Sequence, residues 1–566
     1  MPVRRASRPA SPILRSSSSP LESESYELSK RTPAPPEEFA LDDEEDDDIE
    51  ASSPSRGLLD YTTVVSSRRP SRRRKWSAYL SSLRLCCRRS GGLRRRCCQL
   101  ITVLLSAVGL LLVFTFIFNP SYTKGQYPEN YAIVSNAVRN GGGVNPQGFW
   151  RGKAGKKATK SGRGNPAGEK VFIAANIIDA DLISGAWGNA VMELMDLIGG
   201  DNVFLSPYLL AFLSPGSLGI FENDSGPQTK AALEDLDKLI AENIPKANRS
   251  IVSTTLPLAA IPRVKLPNDK TYIKRITYLA EVRNRALLPL VGYIPSLGRW
   301  GITGPPKIPK THKPVPGENE STEWEQMPEK IDPKDAPALP GQWVEDPEKF
   351  SKVLFLNDVV FDPVQALHLL FSTNQGKYET ACGMDFINPF KYYDTFATRD
   401  IDGYNLGVPF YPYFAPGMSR KAMQAVTDAV PVLSCWGGIV AFQAKAFTKK
   451  DPVLFRSSKE PYWDASECCL IHADIHAPNA TYMNPYIRVT YDPGTFGWLP
   501  MVKRIEKLFA GPHWLIGKLI GMPWSGERRK DVEDGGYCGS WKLLVMKEGE
   551  EGRGWKNLPI PENKGN

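Results

Sequence analysis

The chain has 566 residues, 42% of them hydrophobic, and a formal net charge of +8. That length leaves room for several domains. The positive excess is concentrated ahead of a single apolar run, so the charge speaks for membrane orientation and not for a nucleic-acid partner.

Residues 1–98 lack globular character. Ser, Pro and Arg dominate residues 2–36, an acidic block spans Asp42–Asp48, and basic residues return after Arg68. Such a segment buries too little apolar surface to offset chain entropy and is expected to be a disordered cytosolic tail. Leu100–Phe118 carries no charge and has the length of a membrane-crossing helix. Lys and Arg cluster between Arg68 and Arg96 before it, and Lys124 is the first positive charge after it. The positive-inside rule then predicts a single-pass, type II signal anchor over 99–119, with the larger part of the chain lumenal. Cys86, Cys87, Cys97 and Cys98 lie among the arginines, where palmitoylation is plausible. The five lumenal cysteines (Cys382, Cys435, Cys468, Cys469 and Cys538) are odd in number, so at least one is expected to lack a partner within the chain.

Residues 120–169 are rich in Gly, Lys and Asn and read as a stem. A folded domain is expected over 170–545, followed by a flexible tail over 546–566. VFIAAN is a short strand ending at Asn176, Leu182–Ile198 has helical apolar spacing, and Val203–Ser206 is a second strand. Tyr208–Phe221 reads as a lid or insertion, and the turn holding Glu222 and Ser225 supplies an N-cap for a helix over Gln228–Ile244. Ser250–Thr254 is a third strand, and Arg275–Leu290 a helix carrying Arg283. Strands alternating with helices of this length predict an α/β fold with a mixed, mainly parallel central sheet. From Ile294 to about Lys349 the pattern collapses into a Pro-rich insertion.

Ser351–Asp362 then offers an unbroken apolar strand, Val353–Leu356, running into Asn357-Asp358. Pro363 suits the first position of the helix that follows. A carboxylate at the carboxyl edge of such a sheet either caps a helix or holds a divalent cation against a diphosphate, and both readings stay open here. Asp400 and Asp402, spaced Asp-x-Asp beside Gly403, compete as metal ligands or serve as turn residues. Trp436, in Ser-Cys-Trp-Gly-Gly, suits stacking on a sugar ring or a place in the core. Glu467, His472 and Asp474 gather around one short apolar stretch. They are candidates for a catalytic group and metal ligands, or for a cap and a satisfied core histidine. Pro485–Asp492 is a last clear strand. A P-loop, a dinucleotide fingerprint after a strand, a nucleophile elbow and a zincin motif are all missing from the sequence.

Taken in order, VFIAANIID, ENDSGPQTK, RITYLAEVRNRALLPL, KVLFLNDVVF, RDIDG, SCWGGIVAF and SECCLIHADI with YIRVTYD resemble the fungal capsule-associated α-1,3-mannosyltransferases, glycosyltransferase family 69. The resemblance implies a Golgi type II enzyme with a GT-A-like nucleotide-sugar-binding fold. It would move mannose from GDP-mannose to a mannoside or polysaccharide acceptor, with retention and with a divalent cation such as Mn2+. It further implies Asp358, His472 and Asp474 as metal ligands, and Glu467 and Asp402 as catalytic groups. Asn176, Glu222, Ser225, Arg283, Asn357 and Trp436 become donor-site residues. Transfer of another sugar, such as xylose from UDP-xylose, and a non-catalytic lumenal role in polysaccharide assembly or export are the alternatives. Asn357 standing where a first aspartate is expected keeps the last of these in view.

Overall fold

A computed structural model describes residues 92–140, 160–210, 227–254, 261–291, 344–477, 479–522, 535–547 and 554–561. All lie in Val64–Asn566, one of the chain's two compact units. The tail up to residue 91, the turn with Glu222 and Ser225, and nearly all of the Pro-rich insertion lie outside the described residues.

The chain opens with α1 (Gly92–Phe118), α2 (Tyr131–Asn140), β1 (Val171–Asn176), α3 (Ala180–Ser184), α4 (Ala186–Ile198) and β2 (Val203–Leu210). Next come α5 (Pro227–Asn243), β3 (Asn248–Arg249), β4 (Val252–Thr254), β5 (Val264–Lys265), β6 (Thr271–Tyr272) and α6 (Arg275–Val291). The central part holds β7 (Lys352–Leu356), α7 (Pro363–Phe371), β8 (Thr380–Phe386), β9 (Arg399–Asp400), α8 (Met418–Gln424) and β10 (Val430–Ser434). It continues with β11 (Ile439–Gln443), α9 (Lys445–Thr448), β12 (Trp463–Ala465), α10 (Glu467–Ile475) and β13 (Thr481–Thr490). Last are α11 (Pro493–Ile505), α12 (Ala510–Leu519), β14 (Gly539–Trp541), β15 (Leu544–Met546) and β16 (Trp555–Asn557).

The fold is α/β around a large mixed sheet of order β3-β2-β1-β7-β11-β8-β13-β10-β9, with β4 also paired to β2. β1, β2 and β7 run parallel, as do β8 and β13, while β11 enters antiparallel between β7 and β8. Because β11 opposes both neighbours, the carboxyl ends of β1, β7, β8 and β13 share one edge. β7 is buried along its whole length, as its continuous apolar run demands. Asp362 accepts from the Val364 and Gln365 amides and Pro363 opens α7, so this strand–helix junction has a local cause. The single helix expected over Leu182–Ile198 is broken in two at Gly185. Gly188 permits the break, since a Cβ there would sit 2.0 Å from the Ile183 carbonyl oxygen.

Gln99–Phe118 within α1 is long and apolar enough to cross a membrane, and the helix starts earlier than expected, at Gly92. The expected stem differs from a simple spacer. Tyr122 is fully buried and its hydroxyl donates to the Met423 carbonyl at 2.6 Å. Tyr131 stacks on His368 at 4.2 Å and accepts from Asn484 Nδ2 at 2.6 Å. Residues 160–169 are also in place, with Arg163 paired to Asp196 at 2.5 Å. Behind this junction, Arg488 and Glu506 form a buried two-point ion pair at 2.8 and 2.7 Å that ties β13 to the turn after α11. The fold also runs past residue 545, because β15 pairs with β16.

Two disulfides join Cys382 to Cys435 and Cys469 to Cys538, leaving Cys468 as a buried thiol. One prediction follows from the docked stem. A soluble form starting at Glu169 discards Tyr122 and Tyr131, each of which contributes on the order of 2 kcal/mol by burial. It is expected to melt several degrees below a form starting at Asn119 when both are followed by circular dichroism. Equal melting temperatures would show that the stem only rests on the body.

Candidate active site

The shared carboxyl edge gathers polar groups from four elements. β1 ends at Asn176, β7 passes into Asn357-Asp358, β8 carries Asp385 near its end, and α10 begins at Glu467. Arg283 from α6 is the hub among them. Its Nε donates to Glu467 Oε1 at 2.9 Å and its Nη1 to Asn357 Oδ1 at 3.2 Å. The guanidinium lies over the Trp436 ring, 4.5 Å from its centroid. Trp436 Nε1 donates to Asn357 Oδ1 at 3.3 Å, and Trp187 Nε1 to the Asn357 carbonyl at 3.0 Å. Both oxygens of Asn357 are thus engaged, which holds the strand end that leads into the next residue.

That residue, Asp358, is buried, and its Oδ1 has no hydrogen-bond partner. Burial pushes its carboxyl up to about 6, with Asp179 adding to the rise and Arg283 opposing it. Asp179 comes from the β1–α3 connection, where it accepts from the Leu182 amide at 2.9 Å. On the neighbouring strand, Asn176 donates Nδ2 to the Val282 carbonyl at 3.1 Å while its buried Oδ1 also lacks a partner. Two strand ends side by side therefore present unpartnered oxygens, which in a folded protein is costly unless something binds there.

Two further acids were not singled out from the sequence. Asp385 is pushed up to about 7, by burial first and by the charge of Asp394 second. It accepts from the Tyr491 hydroxyl at 2.7 Å and from the Asp394 amide at 3.0 Å. Asp394 is raised by burial and accepts from the Gly437 amide at 3.1 Å. Gly437 has a positive φ of 56°, and a Cβ there would lie 2.2 Å from the Gly383 carbonyl oxygen. The backbone of β8 therefore approaches this Gly-Gly pair closely. The sequence signal for Asp385 was the same as for Asp358, a carboxylate near the end of a buried strand.

The structure brings Asn176, Arg283, Asn357, Asp358, Trp436 and Glu467 together, and leaves other candidates elsewhere. His472 is committed on both ring nitrogens, to the Cys435 carbonyl at 2.6 Å and to Thr380 Oγ1 at 3.1 Å, and burial lowers it to about 4. It is a satisfied core histidine with no lone pair left for a cation. Asp474 holds Arg456 through two contacts at 2.7 and 2.8 Å. Asp400 accepts from the Asp402 and Tyr404 amides, the turn role, and four strands separate β9 from β7. Trp436 is buried under Arg283, so its ring is a packing surface for the guanidinium and is not open to a sugar. Glu222 and Ser225 lie outside the described residues.

Among the described residues no three His, Cys, Asp or Glu side chains form a ready cation cage. The unpartnered Asp358 oxygen, with Asp179 beside it, suits instead a divalent ion that takes one or two carboxylates and completes its shell with substrate phosphates and water.

Comparison with known families matches residues 170–299 and 336–474 to the family described as Cryptococcal mannosyltransferase 1. Those segments contain every residue of the cluster just described except Tyr491. No curated protein matches the chain.

Proposed function

This chain belongs to the cryptococcal, fungal capsule-associated mannosyltransferase family, and on that premise we propose that it transfers mannose from GDP-mannose to a mannoside or polysaccharide acceptor, forming an α-1,3 link with retention. The observation that carries the reading is the pair of unpartnered oxygens, Asp358 Oδ1 and Asn176 Oδ1, at adjacent strand ends of one sheet edge. In this reading the fold is GT-A-like and the donor diphosphate lies across that edge.

Asp358 and Asp179 would hold the cation, with Mn2+ as the expected ion. When bound, such an ion neutralises charge on the diphosphate and so eases the departure of GDP. Asn176 Oδ1, which has no partner within the protein, would accept a donor hydroxyl. Arg283 holds Glu467 in place through the ion pair at 2.9 Å. A carboxylate so tightly held is a poor nucleophile, which supports front-face displacement over a covalent intermediate. In that displacement the acceptor hydroxyl attacks the anomeric carbon on the side from which the phosphate leaves, and its proton passes to the departing phosphate. The oxygens of Asn357 accept from Trp187, Trp436 and Arg283. Its standing where an aspartate is expected therefore does not argue for a non-catalytic factor.

The proposed setting is the Golgi lumen, with α1 as a type II anchor. The test supplies purified full-length protein with a mannoside acceptor, Mn2+ and, in turn, labelled GDP-mannose and UDP-xylose. Transfer from GDP-mannose that EDTA abolishes is the expected result. Transfer from UDP-xylose alone would reassign the donor. No transfer together with no GDP-dependent rise in melting temperature would remove the enzymatic reading.

A further inference from the structure

Half of the large apolar side chains left exposed outside α1, among the described residues, sit on α11 and α12. Trp498 and Met501 face outward from α11, whose opposite face buries Leu499, Val502 and Lys503. On α12, Trp514, Leu515 and Leu519 are outward, with 54%, 53% and 77% of their surfaces exposed, while His513 and Gly517 face in. A monomeric soluble surface rarely leaves so many large apolar groups together without use.

The position of the patch says what covers it. Arg504 of α11 donates to the Phe116 carbonyl at 3.3 Å and stacks on the Phe116 ring at 5.1 Å. Lys507 donates to Asn119 Oδ1 at 2.9 Å, and the Ser121 amide to the Lys503 carbonyl at 2.8 Å. The last turn of α11 and the turn that leads into α12 therefore lie beside the end of the membrane-length helix. Between Pro493 and Met522 the only acid is Glu506, which is buried against Arg488, so the outward charges Arg504, Lys507 and Lys518 are all positive. Lys518 lies 4.8 Å from the Trp514 ring, the pairing of aromatic and basic groups found at bilayer interfaces.

We propose that α11 and α12 form an interfacial platform, lying in the headgroup region of the bilayer that α1 crosses, and that this platform binds anionic lipid. Apolar side chains then enter the acyl boundary while Arg504, Lys507 and Lys518 meet the phosphates. A second copy of the chain fits less well, because a self-complementary contact here brings these cations face to face. The platform lies outside the family-matched segments. The proposal rests on α1 spanning a membrane and is independent of the transfer reading. Its consequence is orientation: the body lies against the lumenal leaflet and does not swing on a tether.

The test uses the full-length chain reconstituted in phosphatidylcholine–phosphatidylserine vesicles containing lipids brominated at shallow acyl positions. α1 contains no tryptophan, so bromolipid quenching of fluorescence reports on other parts of the chain. The parent is expected to show quenching that is mostly lost in Trp498→Phe/Trp514→Phe. Leu515→Glu/Leu519→Glu is expected to lose the quenching and to make the two tryptophans accessible to aqueous iodide. Equal bromolipid quenching in parent and Trp-to-Phe variant overturns the proposal. If the two tryptophans are also shielded from iodide, a protein surface covers the patch instead, and the proposal fails equally.

Discussion

Asp358→Asn is expected to lower sugar transfer at least about 100-fold while leaving the melting temperature unchanged or raised. The two halves of this result have one cause. Asp358 is a buried carboxylate whose Oδ1 has no partner, and its carboxyl is raised from 3.8 to about 6. A carboxyl raised in the folded state gives stability that is complete below its unfolded value and is lost as the pH rises through the folded one. Charging Asp358 without a ligand therefore costs on the order of 3 kcal/mol by neutral pH. Asparagine never takes that charge, so the variant is expected to lose the decline in stability between about pH 4 and about pH 6 that the parent shows. GDP with Mn2+ is expected to raise the melting temperature of the parent and not of the variant. Scanning calorimetry across this pH window and transfer assays on the same samples check both halves. A variant that still transfers, or that melts well below the parent, would make Asp358 a structural residue.

The parts of this site that were legible in the sequence are those with local causes. The apolar run of β7, the Asp362 cap and Pro363 at the head of α7 sit next to one another in the chain. Together they force a strand end with a carboxylate on it. What escaped the sequence depends on partners far away in the chain. The ring of Trp436 was open to a sugar on sequence grounds, until Arg283, some 150 residues earlier, was found lying on it. His472 looked like a ligand because nothing local shows that Thr380 and the Cys435 carbonyl occupy both nitrogens. Asp394 was passed over because alone it resembles a turn residue, and the burial that raises both it and Asp385 is set by distant parts of the chain. The stem was misread for a related reason. Its glycines and lysines dominate the composition, while three tyrosines, Tyr122, Tyr127 and Tyr131, do the docking around Tyr486 and His368.

Arg283→Ala is expected to cost about 3–5 kcal/mol of stability, because it strands Glu467 as an uncompensated buried charge. Glu467 is 3% exposed and sits near Asp394, so it has neither water nor another close cation to turn to among the interactions seen here. The same change removes the donor to Asn357 Oδ1 and bares the face of Trp436. Arg283→Lys keeps the charge but loses the planar fork that serves Glu467 and Asn357 at once, and is expected to recover part of the stability. The informative variant is the double change Arg283→Met/Glu467→Met. Replacing both partners of a buried ion pair with apolar groups of similar size is often close to neutral, so the double variant is expected to melt nearer the parent than Arg283→Ala does. Its transfer activity is not expected to return, because Glu467 is then gone from the reaction centre and Asn357 has lost its charged donor. Denaturant melts and transfer assays on the three variants separate the two roles. A double variant that regains both fold and activity would show that the pair only braces the sheet edge. One that regains the fold alone would place Arg283 and Glu467 in the transfer step itself.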